Sequence, residues 1–424
     1  MIEIKPFRAF VYNQEKIGNM NNVVAPPYDI ISKKEQDAYY RQSKYNVIRL
    51  ILGKTYSKDT RSNNRYSRAA KLLKRWQKED ILIQDNRPCI YVYRQNYYDE
   101  QTKRRIDRLG FIALFKIQDF DKKAIYPHED TLPGPRKDRF ELLKRTKANF
   151  SPVFSLYSDK LGKIDKILQK TLSKKPFIKI TDGNKIEHAL YRISDSKQIN
   201  EIQDIMKRKK VFIADGHHRY ETALKYRTYL KDGANKDYTM MYFTNLDSEG
   251  LKIYPIHRLI CDVNLRHLRD LLEDLKRYFS IEEVKDKEKM LSSVISSNPS
   301  DYKYGLYYSR RFYILTLDSK SIVKKVARKK RLSYVDKLNV TLAHRLIIRR
   351  ILKVSDNKIN YFHDVRDLIR QANRKKNRVA IFLSAITPDE IIKVALEDER
   401  LPRKSTYFYP KLYSGLVINK IDAL

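Results

Sequence analysis

The chain has little of the chemistry that most readily betrays a function. Its 424 residues include two cysteines, Cys89 and Cys261, with no CxxC pair and no metal-type spacing. That argues against a disulfide framework and against a structural zinc site. No apolar run approaches the ~20 residues that a membrane span requires. The opening MIEIKPFRAFVYN lacks the apolar core of a cleavable signal. Together these absences point to a reducing, cytoplasmic compartment. Several motifs are missing as well: there is no GxxxxGK[ST] phosphate loop, no GxGxxG fingerprint, no HExxH zinc helix and no GxSxG nucleophile elbow. Cys89 falls in a predicted strand, which suits a core residue better than a nucleophile. There is no internal repeat and no low-complexity linker.

What the chain does have is positive charge and aromatic bulk. Lys and Arg total 88 against 51 Asp and Glu, a net charge of +37, and there are 31 tyrosines. A hydrophobic fraction of 42% is that of a folded protein, and the length suits two domains. A field of this sign attracts polyanions such as nucleic acid, an anionic membrane face or phosphorylated metabolites. The basic residues are scattered, which also fits a simple compositional bias. Their densest runs are 207–210, 324–331 and 345–350.

Periodicity predicts a mixed α/β (α+β) fold. Strands are expected at Ile2–Phe10, Arg87–Arg94, Arg105–Ile117, Ser151–Tyr157, Val211–Ala214, Tyr238–Asn245 and Val379–Ala385, and a strand pair over Lys303–Leu317. Helices are expected at Lys33–Gln42, Arg65–Glu79, Gly162–Leu172, Leu265–Tyr278, Asp286–Ser296, Val335–Leu352 and Phe362–Ala372. With three prolines and a glycine, the polar cluster 126–139 begins as a loop, and Asp138 reads as the N-cap of a helix over Arg139–Lys147. A change of texture near residue 260 sets an expected core over 1–260, with an inserted helix and hairpin. An α+β region over 261–424 then returns to that core.

The most informative run is Val211-Phe-Ile-Ala-Asp-Gly-His-His-Arg-Tyr-Glu-Thr-Ala-Leu224. An apolar strand leads into Asp215, Gly216, His217, His218 and Arg219, and a helix follows at once. The first N–H groups of a helix lack partners and its dipole favours an anion there. Gly216 permits close backbone approach, and Arg219 can grip two phosphate oxygens. A neutral histidine here suits proton transfer or metal binding, and adjacent histidines on a turn point in different directions. The plainer reading is a capped helix with surface histidines.

A second cluster joins His128, Glu129 and Asp130 to Lys137, Asp138 and Arg139. Cations that neutralise spreading charge, with a carboxylate to orient a hydroxyl, are what phosphoryl transfer needs. An ordinary charged loop has the same composition. Pro26-Pro27-Tyr28-Asp29 is a rigid turn carrying a ring and a carboxylate. Lys404-Ser-Thr-Tyr-Phe-Tyr-Pro-Lys411 mixes cations, hydroxyls and rings, and reads equally as a phosphate-approaching segment or a packed terminal strand.

Six segments together resemble the family catalogued as domain of unknown function 1015. They are Lys5-Pro-Phe-Arg-Ala9, Ala25-Pro-Pro-Tyr-Asp-Ile-Ile-Ser32, the His128-Glu129 loop with Asp138-Arg139, Ile213–Ala223, Pro255-Ile-His-Arg258 and Lys404–Lys411. The match runs in order along nearly the whole chain, with small departures at Ile256 and Arg403. The Asp215-Gly-His-His-Arg219 turn is also similar to one in the ParB/sulfiredoxin-like superfamily, whose members bind nucleotide phosphates with it and include a free-serine kinase. That likeness implies a ParB/sulfiredoxin-like nucleotide-binding core with a mixed sheet, and a link to serine metabolism. A sulfiredoxin would need a cysteine beside the turn, and a partition protein a helix-turn-helix reader; neither is evident.

The resemblance implies a nucleotide-dependent phosphotransferase acting on a small hydroxyl metabolite such as serine, with ATP or ADP and Mg²⁺. Asp215, Gly216, Arg219, Lys137, Arg139 and Lys404 would hold phosphate. Glu129, Asp29, His217 and His218 would serve the reaction. Two other readings stand beside it. One is a nucleotide-sensing or nucleic-acid-associated protein without turnover, consistent with the net charge. The other is a metal-dependent hydrolase, with Asp215 and His128 as candidate ligands.

Overall fold

Alternation of side chains along strands builds a sheet with two unlike faces, and that contrast positions the candidate site. The computed structural model describes residues 1–100, 102–230, 236–264, 268–295, 297–327 and 331–421. The chain folds as two compact units: residues 1–127, 131–252 and 410–424 form the first, and residues 128–130 and 253–409 the second. Residue 260, where the sequence changes texture, ends the strand His257–Ile260 of the second unit.

Among the described residues, nine strands form the main sheet of the first unit. Their order is Ile125–Tyr126, Val211–Asp215, Val153–Tyr157, Tyr238–Asn245, Arg104–Lys116, Ile90–Asp99, Glu187–Ile193 and Ile178–Thr181, and Ile4–Lys5 adds to Arg104–Lys116. Val211–Asp215 runs parallel to Ile125–Tyr126, and Tyr238–Asn245 parallel to Val153–Tyr157; the other pairings are antiparallel. The fold is therefore the mixed α/β class expected from the sequence.

Residues paired across strands share a face. Phe111, Ala113, Phe243, Met241, Val92 and Ile213 point to one side and form the main apolar core. Three helices close that side. Lys163–Thr171 contributes Ile164, Ile167 and Leu168; Ser196–Lys207 contributes Ile199, Ile202 and Met206; His217–Tyr229 contributes Tyr220 and Ala223. The opposite face carries Tyr93, Gln95, Arg108, Tyr242, Phe154, His188 and Asp215, as the register Asp215↔Phe154↔Tyr242 and Gln95↔Arg108 requires. The C-terminal residues of the unit run along this face: Ser414 bridges Ala25, Ile418 bridges Phe10, and Asn419–Lys420 pairs with Ala148–Asn149.

The second unit has a six-stranded antiparallel sheet. Its order is Phe279–Val284, Arg311–Leu317, Lys303–Tyr308, Val379–Phe382, His257–Ile260 and Ile359–Phe362. Leu259, Tyr307, Ile314, Leu368, Ala380 and Phe382 belong to its core.

Several expectations need correction. The predicted strand Ile2–Phe10 is two short strands, Ile4–Lys5 and Phe10–Tyr12, separated at Pro6. The proline-rich segment is a loop only as far as Leu132: a helix runs from Pro133 to Thr146, and Asp138 sits inside it rather than capping it. Prolines at the first and third helical positions cost nothing, because those N–H groups have no intrahelical partner. The hairpin strands reach Asp99 and restart at Arg104, beyond the predicted ends. Cross-strand polar contacts hold this extension, Arg94 and Asn96 both donating to Asp107. The basic helix expected at Val335–Leu352 becomes a short 3-10 turn, an α-turn and a π-helical stretch over Ala343–Ile351. The start of the helix predicted from Leu265, its neighbour's end at Ser296 and part of the basic run at 328–330 lie outside the described residues. Among the described residues, no helix is long and apolar enough to cross a membrane.

Candidate functional site

The Asp215 turn forms where the apolar strand Val211–Asp215 emerges from the sheet. Gly216 takes φ +90°, and the helix His217–Tyr229 starts on the next residue without a side-chain cap. Any side chain at Gly216 would be strained, and its Cβ would fall 2.8 Å from the Arg219 guanidinium, which folds back over the turn. Arg219 also donates to the carbonyl of Pro152. The Asp215 carboxylate accepts the Gly216 N–H at 2.8 Å and the Lys411 ammonium at 2.9 Å. Burial alone would raise this carboxyl. Lys411 and Arg219, with a smaller contribution from His217, outweigh burial and hold it well below the usual carboxylate range.

Lys411 is set in place from the polar sheet face. Gln95 Nε2 donates to the Lys411 carbonyl at 3.0 Å, and Arg108 donates to the Pro410 carbonyl and to Gln95. Arg108 is fully buried, with its guanidinium 4.7 Å from the centre of the Phe154 ring. No carboxylate among the described residues pairs with it, so carbonyl and amide oxygens and the ring stabilise its charge. Sequence reading missed Arg108 and Gln95, and quoted Lys411 without a role. The usable signal was an arginine on the strand face where glutamine and tyrosine alternate.

The two histidines of the turn face different surroundings. His217 is buried, 7% exposed, beside Asp215. His218 Nε2 accepts the backbone N–H of Leu132 at 2.9 Å, at the start of the Pro133–Thr146 helix. Thr131 and Arg136 reach the same helix through Glu221, at 2.5 and 3.0 Å. These bonds fix the orientation of the proline-led helix.

That orientation brings Arg139 to the turn. Arg139 and Arg219 line one small cavity of about 50 Å³ with Tyr28, Asn149, Ser151 and Thr222. The space holds a few waters or a small oxyanion. Thr222 is buried and its hydroxyl has no hydrogen-bond partner. The Arg139 guanidinium lies 3.8 Å from the centre of the Tyr28 ring. Burial pushes the Tyr28 hydroxyl up to about 12, with Arg139 pulling it down and Asp29 pushing it up, so it stays a proton donor. Asp138 accepts from Arg139, from Arg65 and, at 2.7 Å, from Tyr66. Burial raises the Asp138 carboxyl, but Arg139, Tyr66 and Arg65 lower it further. Lys137 is exposed and two residues before Arg139, so it lies on roughly the opposite side of the helix. Asp29 is exposed in the Tyr28–Ile30 turn.

The remaining predicted residues lie in the second unit. His128 and Glu129 run beside Leu401, whose N–H donates to the His128 carbonyl at 2.8 Å. Glu129 Oε1 accepts the Lys404 N–H at 3.1 Å. Two segments more than 270 residues apart in sequence thus meet. His128 is buried, with Nε2 3.2 Å from the Thr406 hydroxyl. The Pro255-Ile-His-Arg258 segment adds two buried bases. Arg258 donates to the carbonyls of Ile256 and Lys404, and burial lowers it to about 10. His257 Nδ1 accepts the Leu383 N–H at 3.2 Å; burial, then the charges of Arg258 and His363, lowers it to about 3.

Among the described residues, no three His, Cys, Asp or Glu side chains gather closely enough to hold a metal ion. Asp215 is engaged by Lys411 and His128 by Thr406.

A family model described as a protein of unknown function (DUF1015) matches residues 4–341. No curated protein matches the sequence. Among solved structures, a free serine kinase in complex with AMP is similar at 14% identity and TM-score 0.33, over 67% of this chain and 83% of that one. A conserved hypothetical protein from Pyrococcus furiosus is similar at 14% identity and TM-score 0.34, over 69% and 91%. SbnI with a C-terminal truncation, from Staphylococcus aureus, is similar at 11% identity and TM-score 0.34, over 71% and 84%.

Proposed function

We propose that this chain, which belongs to the DUF1015 family, is a nucleotide-dependent phosphotransferase acting on a small hydroxyl metabolite, with serine the first acceptor to test. One observation carries the reading: Arg139 and Arg219, far apart in sequence, line a single cavity at an uncapped helix start. Two guanidinium groups, an unpartnered threonine hydroxyl and a tyrosine hydroxyl that stays protonated suit a phosphoryl group. The likeness of the turn to nucleotide-phosphate turns adds the nucleotide, ATP or ADP.

In this reading, Gly216 lets the phosphate approach the first N–H groups of the helix, and Arg219 and Arg139 neutralise its charge. Lys411 keeps Asp215 ionised, which in turn holds the lysine and the C-terminal segment against the turn. The acceptor hydroxyl oxygen forms a bond to phosphorus, the bond to the nucleotide oxygen breaks, and the hydroxyl proton passes to a carboxylate. Asp29, one residue from Tyr28, is the carboxylate of the first unit proposed for that proton. His217 stabilises charge beside Asp215, and His218 acts by positioning the proline-led helix. Mg²⁺ accompanying the nucleotide would neutralise further phosphate charge. It commonly takes one or two carboxylates plus phosphate oxygens, which Asp29 can satisfy.

The test is incubation of the purified protein with Mg²⁺, serine and either ATP or ADP. Phosphoserine formation is expected, falling at least 100-fold in Arg219→Ala and in Asp29→Asn. No phosphoserine, together with no nucleotide-dependent rise in melting temperature, overturns the reading.

A further inference from the structure

A second basic pocket lies in the first unit, lined by other residues. Its volume is about 280 Å³, and six of its lining residues are Lys44, Arg49, Lys54, Arg65, Arg68 and Arg75. Tyr40, Tyr56, Gly53 and Leu72 complete the lining, and none of these ten residues is acidic. Arg65, Leu72, Arg68 and Arg75 come from one helix, Arg65–Lys78, at spacings of three and four residues, so they share a face. Like charges so placed repel each other, and an isolated helix is weakened by them.

The carboxylates that reach these cations do not balance them. Asp37 meets Lys54 at 2.5 Å, Asp59 grips Arg68 at 2.6 and 3.0 Å, and Asp138 takes Arg65. Glu79 is 3.9 Å from Arg75. Arg49 and Lys44 pair with no carboxylate among the described residues. Arg49 donates to the Tyr40 carbonyl at 2.6 Å and lies 4.3 Å from the Tyr40 ring centre. Tyr40 is itself fixed, its hydroxyl accepting the Lys54 N–H at 3.0 Å. Arg68 also donates to the Lys54 carbonyl at 2.8 Å and stacks on Tyr56 at 4.7 Å. Four of the six cations are thus held by carboxylates, while Arg49 and Lys44 rest on a carbonyl and rings, so most of the lining is ordered before any ligand arrives, which lowers the ordering cost of binding.

We infer that this pocket binds a small compound carrying two or more phosphate groups. Several guanidinium groups match phosphate oxygens, and the two cations without a carboxylate, Arg49 and Lys44, call for more than the one negative charge of a single carboxylate ligand. The volume sits at the small end for ligand pockets, which suits a compact polyanion. The pocket also touches the first site. Asp138 holds Arg65, which lines this pocket, and Arg139, which lines the other cavity. A ligand that draws Arg65 away leaves the Asp138 carboxylate to Arg139 and Tyr66.

The inference stands independently of the phosphotransferase reading and is tested without turnover. Inorganic tripolyphosphate is titrated calorimetrically into Arg219→Ala protein, where the first site is disabled. One equivalent is expected to bind, and adding Lys44→Glu is expected to weaken it at least tenfold. Lys175→Glu makes the same charge change at an exposed position elsewhere and is expected to alter affinity less than twofold. Thermal melts of each variant check folding, and Arg49→Gln supplies a second lesion in the pocket. Absence of binding at low ionic strength overturns the inference, and so does equal weakening by Lys44→Glu and Lys175→Glu. A single-stranded oligothymidylate forms the other arm. If it binds through Lys44 and tripolyphosphate does not, the small-ligand assignment is wrong.

Discussion

The two units bury positive charge in different ways. In the first, Lys411 meets the Asp215 carboxylate, and Arg108 is held by Gln95, a carbonyl and the Phe154 ring. In the second, Arg258 and His257 lie side by side at 2% exposure, and neither pairs with a carboxylate among the described residues. Burial without a counter-charge moves the bases instead: His257 gives up its proton and Arg258 is weakened as a base. The Asp215–Lys411 pair of the first unit is thus compensated, whereas in the second His257 is kept neutral by desolvation and Arg258, still a cation at neutral pH, rests on the Ile256 and Lys404 carbonyls. A compensated cluster beside a cavity suits ligand binding, and a desolvated one leaves a unit sensitive to acid.

The largest expected effect comes from the tight interior of the polar face. A Cβ on Gly110 would fall 2.4 Å from the Phe243 carbonyl and 2.5 Å from the Tyr242 ring, whereas one on Gly305 of the second unit meets the flexible Met290 sulfur at 2.7 Å. Gly110→Ala should cost about 3 kcal/mol by urea denaturation and Gly305→Ala under about 1.5. Equal losses would remove the contrast in rigidity.

Next in size is acid. The folded His257 value of about 3 lies below its unfolded value, near 6.5. The unfolded chain therefore binds a proton that the fold refuses, and stability falls as pH drops from 6.5 towards 3. Linkage puts the loss at about 2 kcal/mol by pH 5. The Asp215 shift has the opposite form: a lowered carboxyl contributes stability above about pH 4 and loses it only below. Hydrogen exchange should show the strands His257–Ile260 and Val379–Phe382 losing protection between pH 7 and 5, while Val211–Asp215 keeps it. Parallel loss in both would break the comparison.

The smallest effect tests the compensation itself. Lys411→Met leaves Asp215 partly buried without its cation, and should cost about 1–2 kcal/mol after allowing for 12% and 20% side-chain exposure. Adding Asp215→Asn should recover much of that loss in thermal melts. Additive losses would mean that the pair is not coupled.

The locally determined parts of this fold were legible. The helix Lys33–Gln42 appears where its spacing predicts, capped by Ser32 with Glu35. The Val211–Asp215 strand, the Gly216 turn and the following helix form as one unit because apolar period, glycine and helix start are all written within about a dozen residues. Leu132–Arg139 was misread because prolines are ambiguous: they break a helix interior but fit its first turn. Arg108 and Gln95 were passed over because a strand pattern does not show which face another segment will cover.

The sequence by itself determined the strand, turn and helix at Asp215, the alternation that makes the sheet, and the family to which the chain belongs. Tertiary structure decided which charges act together. Lys411 reaches Asp215 from nearly 200 residues away, and Arg139 comes to line one cavity with Arg219, on a helix whose start His218 and Glu221 hold. Local elements follow from interactions within a few residues. A binding cavity depends on long-range packing that brings distant cations to one lining, and no spacing along the chain encodes that meeting.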